Sequence, residues 1–506
     1  MRSAFLAAAL SGVLLSVLAS TAFPDSPTGG AIVEVTHESA ALGREQTFSI
    51  YVPPEAEDGE RFPVLYVLHG AYGGHRDWPT AGRAGELAAH YRMVLVFPDG
   101  GEFGWYVDSP HDPSSQYATY VGEELPAYID VHYPTIADRG ARGIMGLSMG
   151  GHGALLLAAK HPDRFGSASS LSGILKITDH PEKHQIAARL GPMEDNPELW
   201  AENSVWDQAE RFRDSGVRLL FDCGEDDVAT GAIGDSRKLH ERLNALGIPH
   251  IWREHAGTHS WDYWSGHLRE HLNFHQASMI TADEGADRWF RLYFERMSAF
   301  LEENGRLALE RPAAPTVALL GSSSLQSFPD ELFPGYRVFN RAIAGDGLGI
   351  VRRGLSWRLE ESVFDIRPDV LVIKNGRNDL GELHREGEPS IERMLEEYAA
   401  IVDEVRHRLP QTRIVVMTAF PVSGRFAHLG DSILEYNKGL TRLSGERGLA
   451  VVDAWPELAG PGGEIRPEYT TDGLHLTPVA RDKVAALLLG ALGGAEASEN
   501  QEEMNP

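Results

Sequence analysis

The chain has 506 residues, 42% of them hydrophobic, which is more than one ordinary domain holds and enough to bury two cores. Its net charge of −27 excludes a nucleic-acid binder, which needs a basic surface, and disfavours anionic membrane surfaces. A single cysteine, Cys223, excludes any intrachain disulfide.

At the N-terminus, Arg2 precedes the apolar run AFLAAALSGVLLSVLA, and small residues follow up to Ala22. This is the pattern of a secretory signal peptide over residues 1–22, with cleavage expected before Phe23. No other stretch is apolar enough to cross a bilayer, so no stable membrane insertion is expected after cleavage. Export without disulfides points to a secreted or periplasmic bacterial protein.

From residue 32 to residue 276, strand-like and helix-like runs alternate. FPVLYVLHG, YRMVLVFPDG, GIMGLS and VRLLFDCGED read as buried strands; GGHGALLLAAKHP and DSRKLHERLNALG read as helices. Such alternation predicts a mostly parallel sheet covered on both faces. Within it, Gly146, Ser148 and Gly150 form G-x-S-x-G between an apolar strand and an apolar helix. That context predicts a nucleophile on a tight turn, with a helix N-terminus aimed at the developing oxyanion. An acid and then a histidine should follow in chain order. FDCGEDD offers Asp226 and Asp227, and HAGTHSWDYW offers His259, with His255 as the rival. LHGAYGG supplies a second oxyanion donor, the backbone N–H of Ala71, beside that of Met149.

These stretches, with FPDG and GWYVDSP, resemble the esterase D-like branch of the α/β-hydrolases. That branch includes feruloyl and acetyl-xylan esterases, tributyrin esterases, S-formylglutathione hydrolases and mycolyltransferases. By position the resemblance implies Asp227 as the acid, with Asp226 the alternative, and an acyl pocket lined by Trp105, Tyr106, Trp261 and Trp264. Core packing is the other reading of those aromatics.

The polar break TADEGAD lies in an expected linker at 277–286. Phe290, Phe294, Met297 and Leu301 then recur at helical spacing, and RPAAP stops the helix. A second alternation follows through TVALLGSSS, DVLVIKNG, RIVVMTAFP and LAVVDAW, over an expected domain at 287–491, before an acidic tail at 492–506. The motifs of the two halves differ, so this is no simple duplication.

GSSS ends the first strand of this half, FNRAIAGDG places Gly345 after a short strand, NGRND places Asn378 after another, and TTDGLHLTP carries Asp472 and His475. This set resembles the SGNH (GDSL-like) hydrolases. The resemblance implies Ser323 as nucleophile, the Gly345 N–H and the Asn378 amide as oxyanion donors, His475 as base and Asp472 as its orienting acid. The usual aspartate before the nucleophile is Ser322 here, which leaves Ser324 as the rival nucleophile.

The expected fold is therefore α/β throughout: an α/β-hydrolase domain followed by a flavodoxin-like SGNH domain. No phosphate loop, dinucleotide fingerprint or metal-ligand spacing is evident, so neither cofactor nor metal is expected. The expected function is a secreted serine carboxylesterase acting on small-molecule or oligosaccharide esters, acetyl or feruloyl. Acyl transfer to an alcohol, or one live domain beside a degenerate one, are the alternatives. The substrate of an S-formylglutathione hydrolase is cytosolic, which suits an exported chain poorly. The sequence leaves the oligomeric state open.

Overall fold

The computed structural model describes residues 30–58, 60–279, 288–307, 309–350, 353–387 and 389–493. The expected signal peptide and most of the expected linker and tail lie outside them. The helix Trp261–Ser278 runs two residues into the expected linker, and the helix Pro478–Gly493 two residues into the expected tail.

The first sheet has eight strands: β1 (Ile32–Ser39), β2 (Arg44–Tyr51), β3 (Val64–Leu68), β4 (Val94–Pro98), β5 (Arg142–Leu147), β6 (Ser167–Leu171), β7 (Arg218–Gly224) and β8 (Ile251–His255). Their spatial order is β1-β2-β4-β3-β5-β6-β7-β8. β1 and β2 form an antiparallel hairpin on one edge, β2 runs antiparallel to β4, and the rest are parallel. The apolar runs FPVLYVLHG, YRMVLVFPDG, GIMGLS and VRLLFDCGED contain β3, β4, β5 and β7. Residues of β3, β4 and β5 are all buried, as strands covered on both faces should be.

β6, with sequence SASSL, has no apolar run to announce it, yet it is wholly buried inside the sheet between β5 and β7. Two of its three hydroxyls, those of Ser167 and Ser169, are satisfied from the helix Trp261–Ser278, while Ser170 Oγ is buried without a hydrogen bond. Ser167 Oγ lies 2.8 Å from His275 Nδ1, and Ser169 Oγ lies 2.8 Å from both His275 Nε2 and His271 Nδ1. His271 Nε2 in turn meets Asp222 Oδ2 at 2.6 Å. Buried polar groups are tolerable when each has a partner, and this network supplies them for Ser167 and Ser169.

The second sheet has five strands, all parallel: β9 (Thr316–Gly321), β10 (Arg337–Asn340), β11 (Val370–Lys374), β12 (Arg413–Met417) and β13 (Ala450–Val452). Their order, β10-β9-β11-β12-β13, is the 2-1-3-4-5 winding of flavodoxin-like sheets. The helices Ile391–Arg408, Gly430–Glu446 and Pro478–Gly493 pack on it.

The helix Arg288–Leu307 bridges the two sheets. Its apolar face, Tyr293, Phe294, Met297, Phe300 and Leu301, is buried in one cluster with Leu268, Leu272 and Phe274 of the first half and Ile343 of the second. Its polar groups reach the second half: Asn304 Nδ2 donates to the Glu361 carbonyl at 2.8 Å, and Arg296 donates to the Asn340 carbonyl at 2.8 Å. Beside it, Arg253 of β8 makes a two-pronged ion pair with Asp365, at 2.8 and 2.9 Å. Both side chains are 4% exposed, so neither charge can fall back on water. Asp365→Ala should therefore cost about 3–5 kcal/mol of stability in the whole chain, read by denaturant unfolding. A loss below 1 kcal/mol would mean that the halves do not lean on each other here.

Candidate active sites

Both candidate centres lie beyond the C-terminal ends of parallel strands, where loops converge above a rigid sheet. In the first, Ser148 follows β5 at φ 54° and ψ −117°, and Met149 opens the helix Met149–Lys160. A non-glycine residue at positive φ is strained, and the flanking glycines make the turn possible. A Cβ on Gly146 would stand 2.4 Å from the Gly150 carbonyl oxygen, and one on Gly150 would stand 2.5 Å from the His69 carbonyl oxygen.

His259 Nε2 lies 2.9 Å from Ser148 Oγ, and His259 Nδ1 lies 2.6 Å from Asp227 Oδ2. Asp227 is buried and also accepts from the Thr230 hydroxyl at 2.5 Å. Asp226 is exposed and makes no contact with His259. His255 ends β8 and stacks on His267 at 4.1 Å, outside this relay. Cys223 donates its thiol toward Asp227 at 3.7 Å; burial, with the charges of Asp227 and Asp222, pushes that thiol far up, which leaves it unreactive.

The Gly70–Ala71 turn lies directly against the nucleophile, since a Cβ on Gly70 would come within 3.4 Å of the Ser148 Cβ. The Met149 N–H, first of its helix, has no intrahelical acceptor. Both the Gly70–Ala71 turn and the first turn of the helix Met149–Lys160 thus lie beside Ser148. His69 locks the turn from below. Its Nδ1 donates to the Gly70 carbonyl at 2.8 Å, while Nε2 accepts from the Gly100 N–H at 2.8 Å, the pattern of a neutral ring. Burial holds its pKa down accordingly.

The expected pocket aromatics divide. Tyr106 is fully buried and donates to the His69 carbonyl at 3.1 Å, so it supports the oxyanion turn from within the core rather than lining the pocket. Trp105 is 1% exposed and donates to the His184 carbonyl at 2.9 Å, also in the core. Trp264 packs edge-on against the His259 ring at 4.9 Å, and Trp261 against Trp264 at 5.3 Å. The sequence reading missed Tyr72, which follows Ala71. It stands 78% exposed, edge-on to Phe103 at 4.6 Å. Its place in LHGAYGG, next to the oxyanion donor, was the available signal.

In the second centre, His475 Nε2 lies 3.2 Å from Ser323 Oγ and His475 Nδ1 lies 2.9 Å from Asp472 Oδ2. Ser324 faces elsewhere: Lys374 Nζ donates to its hydroxyl at 2.8 Å. Asp472 also accepts the backbone N–H groups of Leu474 and His475, at 3.0 and 2.8 Å. Burial pulls its carboxyl up, but these bonds and the His475 ring outweigh it and bring Asp472 down to about 2.

Gly345 sits at φ +83°, and a Cβ there would stand 2.5 Å from the Trp289 ring of the bridging helix. The segment Asn375–Asp379 is stitched to the loop after Gly345. Asn375 donates to the Gly347 carbonyl at 2.7 Å, Asn378 donates to the Asp346 carbonyl at 2.7 Å, and Asp379 accepts the Leu348 N–H at 3.0 Å. One amide hydrogen of Asn378 is therefore committed to the loop, leaving the other for an oxyanion. Buried Arg358 fixes the same loop through Asp346, at 2.6 and 2.9 Å.

The Esterase family model matches residues 39–275, and the GDSL-like Lipase/Acylhydrolase family model matches residues 320–481. An S-formylglutathione hydrolase of Paracoccus denitrificans (strain Pd 1222) is 31% identical over 274 residues, 49% of this chain and 93% of that protein. An acetyl esterase of Caldicellulosiruptor saccharolyticus is 26% identical over 264 residues, 47% of this chain and 95% of that protein. A solved S-formylglutathione hydrolase from Agrobacterium tumefaciens has 27% identity over 51% of this chain and 98% of its own, at a TM-score of 0.45. The chain is a serine carboxylic-ester hydrolase that belongs to the esterase family in its first half, and its second half matches the GDSL-like lipase/acylhydrolase family model.

Lys374 was not anticipated. It is 4% exposed at the end of β11, with its ammonium 4.0 Å above the Phe420 ring. Burial, helped by the charge of Arg377, brings its amine down to about 7 from 10.5. Between those two values the unfolded chain holds a proton that the folded one lacks, so stability should rise with pH across that window. Lys374→Met should remove up to about 1.4 kcal/mol per pH unit of that rise. Unfolding of both proteins from pH 7 to pH 10, taken as a difference, checks it; parallel curves would show that the amine is not held neutral.

Proposed function

We propose that the chain carries two separate ester-hydrolysing centres, each working through an acyl-serine intermediate. The first uses Ser148, His259 and Asp227 with the N–H groups of Ala71 and Met149; the second uses Ser323, His475 and Asp472 with Gly345 and Asn378. The observation that carries this is the presence of two unbroken serine–histidine–aspartate relays, one on each sheet.

In each centre the serine oxygen attacks the ester carbonyl while its proton passes to histidine Nε2. The aspartate stabilises the imidazolium, and the amides hold the oxyanion. The alcohol leaves with that proton. Water, deprotonated by the same histidine, then frees the acid and restores the serine.

We assign the substrates to acetyl or feruloyl esters on carbohydrate, met by an exported protein outside the cytoplasm. Three observations support this assignment. The N-terminal residues follow a secretory pattern. A relative of the first half is named an acetyl esterase. The second centre is open, with the His475 side chain 47% exposed, so an ester on a bulky chain can reach it. Among the described residues no helix is long and apolar enough to cross a membrane.

Ser148→Ala should abolish turnover of one ester class and spare another, and Ser323→Ala should do the reverse. Each loss should approach about a million-fold in the affected class. The assay is a panel of acetylated and feruloylated oligosaccharides beside simple aryl esters. If Ser148→Ala alone silences every ester, the second centre does not hydrolyse them. If only the aryl esters react, the carbohydrate assignment fails.

Asn378→Ala should lower the turnover of the Ser323-dependent class by about a hundred- to a thousand-fold, with KM nearly unchanged. A variant that melts early but turns over normally would reduce Asn378 to a loop tie.

A further inference from the structure

Away from both serine centres, His255, His267 and Glu270 converge at the seam between the halves. Each offers one ligand atom, and all three atoms lie within 4.8 Å of one another. His255 ends β8, while His267 and Glu270 stand three apart on the helix Trp261–Ser278, so all three come from rigid elements. His267 Nδ1 lies 2.9 Å from Glu270 Oε1, and His255 Nε2 lies 3.4 Å from Glu270 Oε2. His255 is 8% exposed, and its Nε2 makes no hydrogen bond although it is completely buried. Arg408 stands 3.5 Å from Nδ1 of the same ring, so Nε2 carries the proton toward Glu270, and a metal ion bound there would displace it.

We propose that His255, His267 and Glu270 bind one divalent transition-metal cation, with Zn2+ the best match to the donors. Two imidazoles and a carboxylate are a zinc-type set with a fourth position left open. Donors about 2.0–2.1 Å from a tetrahedral ion stand roughly 3.3 Å from each other; the two histidine–glutamate spacings are near that, and the stacked His255 and His267 rings would turn to aim both nitrogens at one ion.

The surrounding charge favours a cation. Four carboxylates, Glu270, Glu360, Glu361 and Asp365, stand against two guanidiniums, Arg253 and Arg408. The guanidiniums are largely committed: Arg253 to Asp365 with one N–H toward Glu270 at 3.2 Å, and Arg408 to Glu360. Glu361 is completely buried, and its carboxylate accepts no hydrogen bond from another side chain. With neutral imidazoles and all four carboxylates charged, the cluster would carry two negative charges in excess, which a divalent ion would offset. Burial pushes Glu361 up to about 8, so a proton relieves part of that excess in the structure as it stands. Two cavities of about 490 and 560 Å³ flank the cluster, one lined by His255 and Arg408, the other by His267 and Glu270, and they give an ion a way in.

The sequence concealed this set because His255 is separated from the other two along the chain and no ligand pair falls at i, i+4. The ion would tie β8 to the helix that follows it and would neutralise the seam. It would stand outside both ester-cleaving relays, so its test does not depend on them.

The test is calorimetric titration of the full chain, first stripped with a chelator, using Zn2+ alone with Mg2+ as the control. One equivalent of Zn2+ should bind, Mg2+ should not, and Zn2+ should raise the melting temperature by several degrees. Glu270→Gln, which keeps the side-chain shape, and His267→Ala should each weaken binding by about a hundred-fold or more. Co2+ added to the unaltered chain should give the visible absorption of a tetrahedral nitrogen–oxygen site, a readout that survives if a variant fails to fold. A flat Zn2+ titration or an octahedral Co2+ spectrum overturns the proposal. So does an equivalent that persists in the His255→Ala/His267→Ala double variant, or one lost instead in His240→Ala, which would place the ion on the neighbouring His240–His250 pair.

Discussion

The pairing of Arg253 with Asp365 is the interaction on which the arrangement of the two sheets rests. A guanidinium sealed from water needs a carboxylate in a fixed place, and that carboxylate belongs to the other half. The pair sits beside the bridging helix, whose apolar face is buried against the first half while Asn304 bonds the second. Hydrophobic area draws the halves together without direction; the ion pair and the Asn304 bonds fix one orientation. The same helix carries Trp289 to Gly345, so the seam also shapes the ground beneath the second oxyanion loop.

The two centres present similar chemistry in different ways. In the first, the strain is in the serine, with Ser148 at positive φ, and the aspartate is buried. In the second, the serine opens a short helical turn and the acid lies at the surface, held by two backbone N–H groups. A buried aspartate is oriented by its surroundings, whereas a surface one must be held by bonds of its own loop. The spacing D-x-x-H lets Asp472 accept the N–H of His475 while meeting its ring. Asp227 instead reaches a histidine 32 residues further along the chain.

Most central strands were legible because buried parallel strands are short apolar runs, as in VLYVL, VLVFP and VLVIK. β6 was not, because two of its serines, Ser167 and Ser169, are buried by bonding to histidines that come from a helix about a hundred residues later. The β1–β2 hairpin also went unannounced; its residues are largely polar or half-exposed, as befits a sheet edge. The aromatics illustrate the same limit. Tyr106 and Trp105 read like Trp261 and Trp264 along the chain, yet the first two fall inside the core while Trp264 packs on His259 and Trp261 on Trp264.

The sequence by itself determined the α/β class, the two halves and the residue types of both relays, because each depends on local pattern: alternation of runs, glycines at a tight turn, or an acid three residues before a histidine. Tertiary structure decided what needs distance in space. It set Asp227 rather than Asp226 against His259, and it turned Ser323 toward His475 while Lys374 took Ser324. It also brought Arg253 to Asp365 and gathered His255, His267 and Glu270 at one point. Neighbouring residues with the same functional group are equivalent along a chain. They become different only when the fold gives one a buried partner and leaves the other to water or to a second neighbour.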